Sequence, residues 1–121
     1  MRYKYFKKKE FACKCGCGNN KIRPELIEML DVARKIAKIP FVINSGYRCP
    51  KHPESLKNPT SSHIEGLAVD IKCNDSKSRA IILDALGVVE FRRFGLHQSF
   101  IHTDLSDVYG EKVAPVIWLY N

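Results

Sequence analysis

Residues 61–70 read SSHIEGLAVD, and residues 100–105 read FIHTDL. In LAVDIK (67–72) apolar and polar side chains alternate, which reads as a strand with Val69 and Ile71 on one side and Asp70 on the other. The same period of two in FIHTDL puts His102 and Asp104 on one face, with Ile101 and Leu105 opposite. Two such strands in one sheet present Asp70 and His102 from a shared polar face, and His63 comes from the loop just before. These two stretches therefore set both a sheet and a convergence of imidazole and carboxylate groups.

Outward from them, Pro24 sits where a first-turn proline belongs, and Leu26, Ile27, Leu30, Ala33, Ile36 and Ala37 recur at helical spacing up to Pro40. FVINS (41–45) reads as a short strand. Residues 46–66, with prolines at 50, 53 and 59, read as a long ordered loop, a place where function often resides. Asp75 or Ser76 is expected to cap a second helix that carries Ala80, Ile81, Leu83 and Leu86 and stops at Gly87. VVEF (88–91), FIHTDL and PVIWLY (115–120) supply further strands, too close together for helical crossovers between all of them. The expectation is an α+β fold with a central, mainly antiparallel sheet and the helices packed on one face.

With 121 residues the chain has the length of one domain, residues 1–121, opening on a basic segment at 1–10. It is 45% hydrophobic and 27% charged, the profile of a globular protein, and no stretch approaches the ~18 apolar residues of a spanning helix. The formal net charge of +7 suits polyanions in general, but no aromatic or recognition-helix pattern points to a specific nucleic acid. A monomer is expected. The charged, tyrosine-containing opening lacks the apolar core of a secretory signal. Five cysteines, three of them in CKCGC (13–17), do not resemble a paired disulfide framework. Plain reduced thiols are one reading. A zinc knot of Cys13, Cys15, Cys17 and Cys49 is the other, although C-x-C-x-C lacks the usual two-residue-spaced thiolate pairs.

His63, Asp70 and His102 make up the ligand number of a catalytic zinc site, where the metal polarises a carbonyl and brings the pKa of a water to about 7. SSHIEGLAVD, with FIHTDL downstream and SGYRCP (45–50) upstream, resembles the zinc peptidases that include D-alanyl-D-alanine carboxypeptidases, phage L-alanyl-D-glutamate endopeptidases and vancomycin-resistance dipeptidases, whose fold is shared with the hedgehog signalling domain. Their S-x-H-x-x-G-x-A-x-D motif is matched with Gly66 and Ala68 in place, and the likeness runs from about Phe11, where FACKCGCG is similar to openings of small phage members, to Leu105. The resemblance implies Zn²⁺ on His63, Asp70 and His102, with Arg48 over the metal to stabilise the reacting carbonyl. It also implies a substrate in the peptide stems of peptidoglycan, cut next to a D-amino acid. A protein made in the cytoplasm and acting at the cell wall, by phage-type release or as a virion component, fits the absent signal.

Ser62 either binds substrate or fixes the turn before His63. The general base departs from the pattern of the relatives, which place an acidic residue three before the third ligand or a histidine two before it; here those positions hold Ser99 and Phe100. Asp104 and His97 are then the candidates. Asp104 has a competing role, orienting a ligand or pairing with Arg48. His52 is expected to be structural or exposed. A non-catalytic zinc-binding domain of the same fold, used for wall recognition or structure, is the alternative function.

Overall fold

The computed structural model describes residues 3–120, so Met1 and Arg2 of the basic opening and the terminal Asn121 lie outside the described residues. Five strands, β1 (Ile43–Ser45), β2 (Ala68–Lys72), β3 (Arg93–Leu96), β4 (Phe100–Asp104) and β5 (Val116–Leu119), form one sheet in the order β1-β2-β4-β3-β5. Every pairing is antiparallel except β3 with β5. The expected α+β class and mainly antiparallel sheet are what the chain adopts, with one parallel pair at the edge.

Helix α1 (Pro24–Ala37) starts on Pro24 and buries Leu26, Ile27, Leu30 and Ala33. Helix α3 (Ser76–Val88) is capped by Asp75, whose Oδ1 accepts the Ser78 N–H at 2.7 Å. The two pack against each other, and their buried faces join Val69, Ile71 and Ile101 from the sheet in one core. The odd-numbered positions of β2 and β4 thus face the helices, and the even-numbered ones face away. The basic opening is no loose arm: Phe6 packs edge-on against Phe11 at 5.5 Å, and the Asp31 carboxylate of α1 accepts the Lys4 and Tyr5 N–H groups at 3.1 and 2.8 Å.

Three local expectations are corrected. VVEF is not a strand: Val88 ends α3, and the chain closes it with Glu90 at φ 75° and the Phe91 N–H on the Leu86 carbonyl at 3.0 Å. Its apolar residues serve the helix end, and Phe91 fills the core. The strand begins instead at Arg93. The loop 46–66 holds a short helix, α2 (Pro53–Lys57), capped by His52, whose Nδ1 accepts the Glu54 N–H at 3.0 Å. β1 covers only the second half of FVINS. Among the described residues no helix is long and apolar enough to cross a membrane.

Gly66 joins the turn carrying His63 to β2 with φ 71°, and a Cβ there would drive into the Lys21 carbonyl. Gly66→Ala is therefore expected to cost about 2 kcal/mol or more, from left-handed strain and displaced backbone. Gly87, in the last turn of α3, has open space around its Cα. Gly87→Ala is expected to stabilise by about 0.5 kcal/mol. Urea unfolding of the two variants beside the parent checks both signs; equal midpoints for Gly66→Ala and parent would refute the turn argument.

Candidate active site

Register brings the polar face together. β2 and β4 pair with Asp70 opposite His102 and Ala68 opposite Asp104. His63 stands in the turn 61–66, where the Leu67 N–H closes on the Ser62 carbonyl at 3.1 Å, and this drops its ring beside the start of β2. Asp70 Oδ1 lies 3.3 Å from His63 Nε2 and 3.1 Å from His102 Nδ1, and the two rings meet edge-on at 5.1 Å.

The outer nitrogen of each imidazole is already engaged. His63 Nδ1 lies 2.8 Å from the Gly46 carbonyl, which only accepts, so the proton sits on Nδ1 and the Nε2 lone pair faces Asp70. His102 Nε2 donates to Asp104 Oδ2 at 2.7 Å, leaving Nδ1 toward the same point. One donor atom from each of His63, Asp70 and His102 lies within 4.8 Å of the others. Two imidazoles with fixed tautomers and one carboxylate, open to a cavity on one side, fit a zinc-type ion.

Asp104 is bound from every side. Its Oδ1 accepts Arg93 Nε at 2.7 Å and the Ser106 N–H at 3.0 Å, while Oδ2 holds His102. The weighed pairing of Asp104 with Arg48 is corrected: Arg93 takes Asp104, and Arg48 donates to Asp70 Oδ2 at 3.2 Å and to Ser45 Oγ at 3.0 Å. Burial on its own would raise the pKa of Asp70, but the bonds from His102 and His63 hold it well below the carboxylate range. Burial likewise opposes ionisation of Asp104, and His102, the Ser106 N–H and Arg93 outweigh it. Burial pushes the His102 imidazole down, yet the Asp104 and Asp70 carboxylates lift it above its ordinary value. A metal cation would replace the proton that His102 shares with Asp70, so binding strengthens as pH rises.

A cavity of about 410 Å³ opens over these groups, and Arg48, Lys112, Trp118 and Tyr120 also line it. Ser62 is buried, and its hydroxyl accepts the Lys112 ammonium at 2.9 Å and the Ser106 hydroxyl, which fixes Lys112 at the cavity wall. His97 is farther out: Nδ1 engages Ser99, and the ring stacks on Phe100 at 4.6 Å with Tyr120 edge-on at 6.1 Å. The structure thus brings His63, Asp70, His102, Arg48, Asp104 and Ser62 together and leaves His97 at the aromatic rim.

Sequence reasoning missed Arg93, Lys112, Trp118 and Tyr120. Trp118 and Tyr120 carried a signal, since alternation along PVIWLY puts both on one face. Trp118 lies over Gly95, where a Cβ would collide with the indole, and packs against the His102 ring at 5.3 Å. Lys112 and Arg93 are single residues in a lysine- and arginine-rich chain, and only the fold selects them.

No curated protein and no solved structure matches the chain. A family model does: that of peptidase M15 matches residues 4–104, a span that starts in the N-terminal segment on α1 and ends on Asp104. On that match over most of its length, the chain belongs to the peptidase M15 family of metallopeptidases.

Proposed function

We propose that this protein is a zinc peptidase that cuts the peptide stems of bacterial peptidoglycan next to a D-amino acid, as a carboxypeptidase or an endopeptidase. The observation that carries the reading is the convergence of His63 Nε2, Asp70 Oδ1 and His102 Nδ1, each histidine held in the tautomer that presents its inner nitrogen. A zinc ion held there supplies a Lewis acid for the scissile carbonyl and acidifies the attacking water.

The remaining chemistry belongs to the chain. Arg48, anchored through Ser45 and Asp70, keeps guanidinium N–H groups for the carbonyl oxygen as it gains charge. Lys112, which also lines the cavity, suits a carboxylate, and stem peptides are short chains rich in carboxylates. The net charge of +7 favours residence on anionic wall polymers. Release with phage lysis or virion proteins accounts for how such a chain reaches the wall. Because both oxygens of Asp104 accept other donors, we assign Asp104 to positioning His102 and give proton transfer to His97, whose Nε2 has no protein partner among the described residues.

Digestion of purified peptidoglycan by the zinc-loaded protein, with mass spectrometry of the released stems, tests the reading, and the new termini identify the bond. Absence of any released peptide from fully loaded protein would leave the non-catalytic zinc domain in its place. Arg48→Lys keeps the charge and loses the planar fork, so turnover is expected to fall roughly a hundredfold at unchanged zinc content. Unaltered turnover would return Arg48 to a structural role.

Asp104→Asn and His97→Gln separate positioning from proton transfer. Asparagine keeps the shape of Asp104 but turns an amide N–H toward either Arg93 or His102, both donors. Zinc affinity should drop 10- to 100-fold together with the melting temperature. His97→Gln should keep zinc affinity and melting temperature and lose on the order of a hundredfold in rate. A reversed pattern would make Asp104 the base.

A further inference from the structure

The cysteines of CKCGC take no part in the cavity over His63, yet the fold gathers them. Cys15 Sγ lies 3.4 Å from Cys13 Sγ and 3.4 Å from Cys49 Sγ, and one sulfur from each of Cys13, Cys15, Cys17 and Cys49 lies within 4.8 Å of the others. A zinc–sulfur bond of about 2.3 Å sets the edges of a tetrathiolate tetrahedron at about 3.8 Å. The distances in the cluster, from 3.4 Å to no more than 4.8 Å, bracket that edge. We propose that Cys13, Cys15, Cys17 and Cys49 form a structural tetrathiolate zinc site, distinct from the His63 site and independent of the peptidase reading.

The local backbone is built for it. In an extended chain Cys13, Cys15 and Cys17 would project in one direction without converging. Gly16 and Gly18, at φ 95° and 75°, curl the segment, and the Cys13 N–H closes it on the Asn19 carbonyl at 3.0 Å. This is how a C-x-C-x-C spacing does without the usual two-residue pairs. Backbone N–H groups point at sulfur, from Cys49 to Cys13 at 3.3 Å and from Asn19 to Cys17 at 3.4 Å, the donors that stabilise thiolates. Four thiolates on Zn²⁺ carry a net charge of −2, and Lys51 lines the same surface hollow as Cys15, Cys17 and Cys49. On binding, the thiols release their protons to solvent.

The odd cysteine count also resolves. Cys73 is buried elsewhere, with its Sγ on the Asp75 carbonyl, so four cysteines belong to the cluster and one to the core. Closure of the cluster fixes Cys49, the neighbour of Arg48, and with it the wall of the cavity.

Cobalt substitution of the reduced full-length chain decides the matter, because the His63 site contains no sulfur. The expected result is two metal equivalents in the parent, with the intense near-ultraviolet thiolate-to-cobalt charge transfer of a tetrahedral sulfur site. In His63→Ala one equivalent should remain with the band intact, and in Cys15→Ser the band should be lost or shifted. Zinc should also protect the exposed Cys15 and Cys17 from alkylation by at least tenfold in rate. A cobalt-loaded parent without charge transfer, alkylation at equal rates with and without zinc, or a disulfide among the four cysteines in reduced, zinc-loaded protein would each overturn the proposal. If Cys15→Ser fails to fold, the parent spectrum and its thiol protection still decide.

Discussion

A carboxylate with almost no access to water sits at the centre of this protein, and the surrounding structure is organised around the need to compensate it. Asp70 is buried on β2 between two imidazoles and a guanidinium. An isolated charge there would be costly by several kcal/mol, so ionised Asp70 requires partners that are themselves held in place. Each partner is tied to a different element: His102 to β4 by sheet register, His63 to the turn ended by Gly66, and Arg48 to Ser45 at the end of β1. The pairing of β2 with β4 is thus both the middle of the sheet and the frame of the site.

A second layer repeats the logic one residue pair along. Asp104, two positions after His102, is buried and satisfied by Arg93, the Ser106 N–H and His102. Arg93 in turn donates to the Val113 carbonyl at 2.6 Å and lies 5.2 Å from the Trp118 ring. This chain of contacts runs along the parallel β3–β5 pair: Arg93 aligns with Val116 and Gly95 with Trp118, and the indole lies near both Arg93 and the His102 ring. Two buried carboxylates facing two guanidiniums balance in charge, so a proton or a metal cation taken up here would rest on the imidazoles.

The sequence made the first layer legible, and of the second it showed Asp104 but not Arg93. Asp70 and His102 could be placed because strand alternation is local: once LAVDIK and FIHTDL are neighbouring strands, Asp70 and His102 fall on the polar side of each, and His63 came from the motif in the loop just before. Asp104 was visible for the same reason. Arg93 was not, because its role depends on β3 lying between β4 and β5, and the true strand was masked by the apolar VVEF run just ahead of it. That run belongs to the end of α3, where Val88 completes a helix turn and Phe91 enters the core; hydrophobicity alone does not separate a helix terminus from a strand of four residues. The pairing of Arg48 with Asp70 rather than Asp104 is likewise a matter of three-dimensional distance, invisible to spacing.

The segment before α1 has a larger part than its basic composition suggests. Residues 45–49 touch the site at three points: Ser45 holds Arg48, the Gly46 carbonyl fixes the tautomer of His63, and Arg48 reaches Asp70. That same short stretch is held from behind by the N-terminal segment, through the Tyr47 N–H on the Phe11 carbonyl at 2.8 Å and the Cys49 N–H on Cys13 sulfur. Gly46 is close enough to Phe11 that a Cβ would meet its carbonyl, so the contact is backbone on backbone. The polar face of the sheet supplies the chemistry, but the orientation of His63 and Arg48 comes from a loop whose rigidity is provided by residues more than thirty positions away in sequence. A catalytic geometry built on a loop needs such support, because a loop alone does not hold a side chain to the fraction of an ångström that proton and carbonyl chemistry demands. In this small chain the N-terminal segment provides it.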